Sequence, residues 1–272
     1  MNTILDVDKI VEYLIPFKDK LHKLYSWNAK IDKLVAFGII NIEEMRSWNR
    51  LSHYEKELNI KRMLNHFLKV TESEKISNTQ FHNLCYWIIK DWGGINLKED
   101  KVKPLIDQFL EKKDTGFDKI ASVSKVASFM FPDEFIIYDS RVAYSLNWII
   151  LKTNAGNKYF PIPDGRSSKM ISFDMNTLIH IKHANLFIPN NHDDLLGKNK
   201  FISKRDKLIY LNKKEAYKCL NVLIKEISQK LWNGDMEKMQ KLFYTEMLLF
   251  SIADNYIFED IVKHAINDNS IF

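Results

Sequence analysis

Glycine and proline are scarce in this chain: its 272 residues hold eight of the first and six of the second. That excludes collagen-like and linker-rich proteins and disfavours many-stranded β architectures, which need turn residues at short intervals. Cysteine is scarcer still. Cys85 and Cys219 sit inside apolar helical patterns and read as buried free thiols of a reducing compartment, not as a disulfide. No apolar run approaches a membrane span. Asp6, Asp8, Lys9 and Glu12 interrupt any apolar stretch near the start, so no signal peptide is read and a cytoplasmic location without membrane attachment is expected. Walker loops, glycine-rich dinucleotide turns and nucleophile elbows are missing, as are repeats and low-complexity segments. His180, His183 and His192 are joined by no cysteine, and their spacing arises by chance, so no metal is assigned.

What is present is a mildly basic, helical pattern. Hydrophobic residues make up 46% and charged residues 28%, ordinary for a globular chain. The length suits one helical domain, or two lobes divided as 1–115 and 116–272. The net charge is +5, but residues 198–230 alone hold ten Lys/Arg against three acids. That run reads either as a solvated lysine-rich face or as a surface that tracks phosphates. Apolar spacing predicts helices from Asp6 or Asp8 to Tyr25, over Asn28–Phe37, Ser52–Lys69, Thr79–Asp91 and Lys101–Lys113, and from Asp139 to Lys152. Asn41/Glu44 and Asn212/Glu215 have the spacing of capping boxes. Asp235 should cap a last long helix, and Leu208–Leu211 reads as a strand. The fold class is therefore all-α with few short strands.

The central stretch carries the chemistry. Lys125 opens a short apolar helix to Phe131, Pro132 turns the chain, Phe135–Tyr138 returns extended, and Asp139 opens the next helix. The helix climbs about 9 Å and the extended run covers about 10 Å. If the two run antiparallel, an amine and a carboxylate face one site. An aspartate before Ser-Arg-Val is also an ordinary helix cap.

Lys125-Val-Ala127 and Tyr138-Asp-Ser-Arg-Val142 resemble the catalytic core of the helix-hairpin-helix DNA glycosylases, most closely the 8-oxoguanine DNA glycosylase branch. The resemblance covers roughly residues 100–150. It implies a DNA partner, base excision with Lys125 as nucleophile and possible strand cleavage, and Asp139 as electrostatic or acid/base partner. It calls for no cofactor. The Gly-x-Gly such hairpins carry before the lysine is replaced here by Ala121-Ser-Val-Ser124. Helix-start amides, with the Ser122 and Ser124 hydroxyls, would then have to hold the phosphate.

Further candidates follow from the needs of base flipping. Aromatics near structural breaks, namely Tyr86, Trp92, Tyr138, Tyr144 and Trp148, are candidates for the base pocket. Arg141 can pair with an acid or a phosphate. Arg166, Ser167, Ser168 and Lys169, beside the Asp164-Gly165 turn, read as a DNA loop or a plain connection, and Lys204 and Arg205 belong to the basic run. The alternative function is a DNA-binding protein that keeps the helix-hairpin-helix fold without the chemistry.

Overall fold

Helical spacing becomes helices along nearly the whole chain. The computed structural model describes residues 5–70, 79–196 and 200–267. Lys198 of the basic run lies outside them. The order is α1 (Val7–Lys18), α2 (Leu21–Leu24), α3 (Asp32–Ala36), α4 (Ile42–Trp48), α5 (His53–Val70), α6 (Thr79–Trp87), α7 (Glu99–Lys112), α8 (Ile120–Met130), α9 (Ser140–Thr153), α10 (Ser168–Ser172), α11 (Met175–Lys182), α12 (Asp193–Leu196), α13 (Lys200–Ile209), α14 (Lys213–Leu231), α15 (Met236–Gln240), α16 (Phe243–Ile252) and α17 (Phe258–Asn267). Two π-helical turns interrupt the series: Ile88–Trp92 continues α6, and Ala253–Ile257 joins α16 to α17. Among the described residues no helix is long and apolar enough to cross a membrane.

Local chemistry explains several boundaries. Asn41 and Glu44 form the reciprocal capping box that opens α4. Asp6, Asp139, Asp174 and Asn212 each accept a backbone N–H at the start of the helix that follows. Several expectations are corrected, and one is the Asn28–Phe37 helix, of which only Asp32–Ala36 forms. The first helix stops at Lys18, and the stretch to Tyr25 is completed by the short α2. Asp235 caps only the five-residue α15, because the chain turns at Lys241 before α16 begins. Leu208–Leu211 is not a strand: α13 runs to Ile209, and Tyr210 makes one isolated bridge to Tyr159. Finally α8 begins at Ile120, five residues before Lys125. The Ala121–Ser124 segment has modest helix propensity, but burial of Ile120 and Val123 overrides it.

The helices close around two large apolar clusters, with Phe109, Val123 and Ala127 forming a small third. One gathers α5, α6, α7 and one face of α8, through residues such as Leu64, Phe81, Trp87, Ile106 and Phe129. The other gathers α9, α14, α16 and α17, and α1 joins it although α1 precedes the first cluster in sequence. Helix α8 lies between them and is buried almost all round, although it carries Ser122, Ser124, Lys125 and Ser128.

After α8 the chain turns at Pro132 and returns along it. The returning segment has no neighbouring strand, so side chains satisfy its backbone. Asn221 accepts the Ile136 N–H at 3.0 Å and Tyr217 donates to the Ile136 carbonyl at 3.0 Å, both from α14. Ser124 accepts the Tyr138 N–H at 3.0 Å. The last bond joins the residue before Lys125 to the residue before Asp139, so the path does bring the two back to one level. Asn221→Leu should leave the buried Ile136 N–H unsatisfied and cost about 1–3 kcal/mol, read by urea unfolding; a loss below about 0.5 kcal/mol would show that this clamp does not hold the segment.

Candidate active site

Lys125 and Asp139 line the same cavity. Its volume is about 70 Å³, and Tyr25, Trp27, Trp92, Gly93, Ile137, Arg141, Glu246 and Phe250 complete the wall. Lys125 comes from the middle of α8 and is only 6% exposed. Burial pushes its amine below the usual lysine range; the Asp139 and Glu246 carboxylates oppose this, and Lys61 and Arg141 add to it. Asp139 spends one oxygen on the Val142 N–H at 2.9 Å, its helix cap. Capping and a place in the cavity wall therefore coexist in one side chain.

Gly93 shapes the lysine's path. A Cβ at this position would stand 2.5 Å from Lys125 Cδ, 2.6 Å from Cε and 2.8 Å from the Ile88 carbonyl oxygen. Only glycine leaves room for the aliphatic stem to cross the backbone. Trp92 ends the first π turn and Gly93 caps it; the turn's hydrogen bonds span one residue more than those of an α-helix, which redirects both residues into the wall. The Trp92 carbonyl accepts the Trp27 indole N–H at 3.0 Å, and Trp27 packs edge-on against both Trp92 and Phe250. The second π turn supplies Asp254. It accepts from Arg141 Nε at 2.7 Å and from the Ser167 hydroxyl. Arg141 also lies over the Phe250 ring.

Behind the cavity lies a buried ionic group. Glu57, Lys61 and Glu246 are 1%, 3% and 4% exposed. Lys61 Nζ stands 3.5 Å from Glu57 Oε1 and 4.0 Å from Glu246 Oε2, and none of these three atoms has a hydrogen-bond partner. The ammonium also faces the rings of Trp92, Phe129 and Phe243. Glu57 accepts a hydrogen bond from the Trp92 indole at 3.0 Å. Burial raises the Glu57 carboxyl above its usual range, and pushes Glu246 up to about 7. Glu57 and Lys61 could have been found, because they share the helical stripe of Ile60, Leu64 and Leu68, where charge is unexpected.

The other candidates are dispersed. Of the five aromatics proposed for a base pocket, Trp92 alone lines the cavity. Tyr138, Tyr144 and Trp148 are core residues whose polar ends bond Pro161 O, Phe173 O and Asp260, and Tyr86 accepts from Lys90. The walls found instead are Tyr25, Trp27 and Phe250. Ser124 is fully buried and holds Tyr138, which removes it as a phosphate donor. Ser122 is buried along a second groove, of about 440 Å³, that runs between the start of α8 and Ile162–Gly165. That segment is fixed to α9: Ser140 donates to Gly165 O at 2.8 Å, and Asn147 bonds both Phe160 N and Phe160 O. Ser167 caps α10, Ser168 and Lys169 are exposed, and Lys169 donates to Asn255. Arg166 pairs with Asp174. Lys204 is exposed on α13, whereas Arg205 bonds the Leu186 and Phe201 carbonyls. His180 and His183 bond Asp206 and Tyr159. Among the described residues no group of three metal-ligating side chains forms.

The Glu246 carboxyl makes a pH prediction. The folded protein keeps a proton that the unfolded chain, with a value of 4.5, releases. The glutamate's contribution to stability therefore falls as pH rises from 4.5 to 7 and stays unfavourable above that. Glu246→Gln should gain on the wild type by about 2–3 kcal/mol more at pH 8 than at pH 5, measured by urea unfolding at both; equal differences would show that Glu246 does not hold the proton. No family model, curated protein or solved structure matches this chain.

Proposed function

We propose that this protein is a DNA glycosylase that excises a damaged or modified base, with Lys125 as nucleophile and Asp139 as its carboxylate partner. The observation that carries this reading is the meeting of a buried amine, depressed by its surroundings, and a carboxylate in one aromatic-walled cavity. Attack by an amine requires its neutral form, which desolvation favours. The neutral Lys125 amine forms a bond to the sugar C1′ as the C1′–N bond to the base breaks, and the base leaves with the electron pair and takes up a proton. Positive charge develops on the sugar in this step, and a fixed carboxylate beside it lowers the barrier. Opening of the sugar ring then leaves a Schiff base, from which elimination of the 3′ phosphate would nick the strand.

Trp27, Trp92 and Phe250 are the aromatic walls against which an extruded base would pack. Arg141, held by Asp254 together with Ser167, ties the cavity rim to the exposed Ser168-Lys169 segment. That segment and Lys119 and Lys213 along the neighbouring groove supply cations for the phosphate backbone. The helix-hairpin-helix assignment belongs to this proposal and rests on α7, the turn through Gly116 and Phe117–Lys119, and α8.

Borohydride trapping on abasic-site and 8-oxoguanine duplexes tests the reading. The wild type should form a covalent adduct that Lys125→Gln abolishes. Asp139→Asn keeps a good helix cap and should fold normally while slowing base release by about a hundredfold. Salt-sensitive DNA binding with no adduct, and no release from any modified duplex, would instead leave a bare binding module. Gly93→Ala should displace the Lys125 stem and cut adduct formation at least about tenfold with duplex affinity unchanged; an unaltered adduct yield would show that the stem's path is not critical.

A further inference from the structure

The proposed chemistry puts Lys125 on the sugar and Asp139 beside it, and leaves one proton without a destination. The amine nitrogen is positively charged once it has bonded C1′, and it must shed a proton before its electron pair opens the sugar ring. Asp139 is committed elsewhere, with one oxygen on the Val142 N–H and its charge needed at the sugar. The ionic group behind the cavity holds two more carboxyls. Glu57 does not line the cavity; its Oε1 is sealed, and the residue accepts from the Trp92 indole. Glu246 differs. Helix α16 carries it into the cavity wall, and the oxygen it seals away is Oε2, on the side of Lys61 at 4.0 Å. Oε1 is thus the oxygen left to face the cavity. Lys125 lines the same space, and its Nζ is not sealed either. A space of about 70 Å³ holds only a few waters, so the amine and the carboxyl are at most a short relay apart.

We propose that Glu246 is the proton acceptor for Lys125: as the amine bonds C1′, an N–H bond breaks, an O–H bond forms on Glu246, and the electron pair stays on nitrogen to open the sugar ring into the Schiff base. This deepens the glycosylase reading and rests on it. Two carboxylates then divide the work, Asp139 staying ionised beside the sugar while Glu246 takes the proton. Lys61, set among the Trp92, Phe129 and Phe243 rings, draws Oε2 away from the cavity and leaves Oε1 for the amine. The charged and titratable groups around Glu246 are Glu57 and Lys61 of α5, Lys125 of α8, Asp139 and Arg141 at the start of α9, Tyr25 after α2 and Tyr217 of α14. Burial raises its proton affinity most; Lys61 and Lys125 oppose the rise, and Asp139 and Glu57 add to it. The balance, about 7, suits a group that takes and returns a proton at neutral pH. Below that value the carboxyl already holds a proton and accepts no other; above it the ionised form accepts. The same N–H proton leaves when the amine adds to the C1′ aldehyde of an abasic site, so an abasic duplex reports this step with no base present.

The rate of adduct formation on an abasic duplex, timed by borohydride quench at saturating protein from about pH 5 to pH 9, tests the assignment. The wild-type rate should rise with pH to a plateau. Glu246→Gln keeps the shape and removes a charge that is costly to bury. Without that carboxylate the ammonium form of Lys125 is less favoured, so the rise moves to lower pH. Were Glu246 to act on Lys125 by charge alone, this shift would be the whole effect and the plateau would stand. A lost acceptor is felt on the plateau itself, where the amine is neutral in both proteins, and the plateau rate should fall about a hundredfold. Glu246→Asp restores a carboxylate held one methylene back; its plateau should lie between the two, about tenfold below the wild type. A glutamine plateau within about threefold of the wild type would overturn the acceptor and keep Lys125 as nucleophile. If the glutamine variant does not fold, the aspartate decides, and a plateau equal to the wild type overturns the acceptor. A wild type that forms no adduct would overturn the nucleophile, and the acceptor with it.

Discussion

One hydrogen bond sets the register on which the site depends. The Tyr138 amide donates to the Ser124 hydroxyl, and this fastens the returning segment to α8 at the level of Lys125. The segment has no partner strand, and α14 replaces one with the amide of Asn221 and the phenol of Tyr217. A slip of one residue would turn Asp139 away from the cavity and would put Ile137, which lines it, on the opposite side. The clamp thus converts a flexible loop into a fixed distance between an amine and a carboxylate. Asn65 strengthens the arrangement from the other side by donating to the Phe129 and Met130 carbonyls at the end of α8.

The cost of the arrangement is electrostatic. Glu57, Lys61, Lys125 and Glu246 all lie almost wholly out of water, with Asp139 and Arg141 at the rim. Desolvation of this many charges exceeds what their mutual attraction returns when separations are 3.5–4.0 Å and several atoms lack hydrogen bonds. A core built only for stability would fill this space with leucine. Concentrated strain of this kind is what a functional site leaves in a fold. The two π turns fit the same account, since each breaks a regular helix to deliver site residues, Trp92 with its capping Gly93 at the end of one and Asp254 from the other.

What was legible in the sequence follows from range. Lys125 and Asp139 are fourteen residues apart, and the rise of a helix and of an extended segment suffices to bring them level. Capping residues are equally local, and Asn41/Glu44 and Asp139 act as their spacing suggests. The start of α8 was not legible, because burial of Ile120 and Val123 outweighs the weak propensity of the serines. The cavity walls were hidden for another reason. Tyr25, Trp27 and Phe250 lie about a hundred residues from the lysine on either side, and nothing local distinguishes them from core aromatics such as Tyr144 or Trp148. Glu57 and Lys61 have the i,i+4 spacing of an exposed helix pair, and only their apolar stripe betrays them.

The cavity draws its wall from residues 25 to 27, 92 to 93, 125, 137 to 141 and 246 to 250, with the supporting ions at 57 and 61. Such a site has no nucleus of its own. A chain emerging from the ribosome holds Lys125 and Asp139 long before α16 exists to close the wall around them. Until then the amine remains hydrated and charged, because the apolar cover that lowers its affinity for a proton is not yet made. The lowered proton affinity of Lys125 is thereby a property of the completed fold, conferred on the middle of the chain by a helix that follows it by more than a hundred residues.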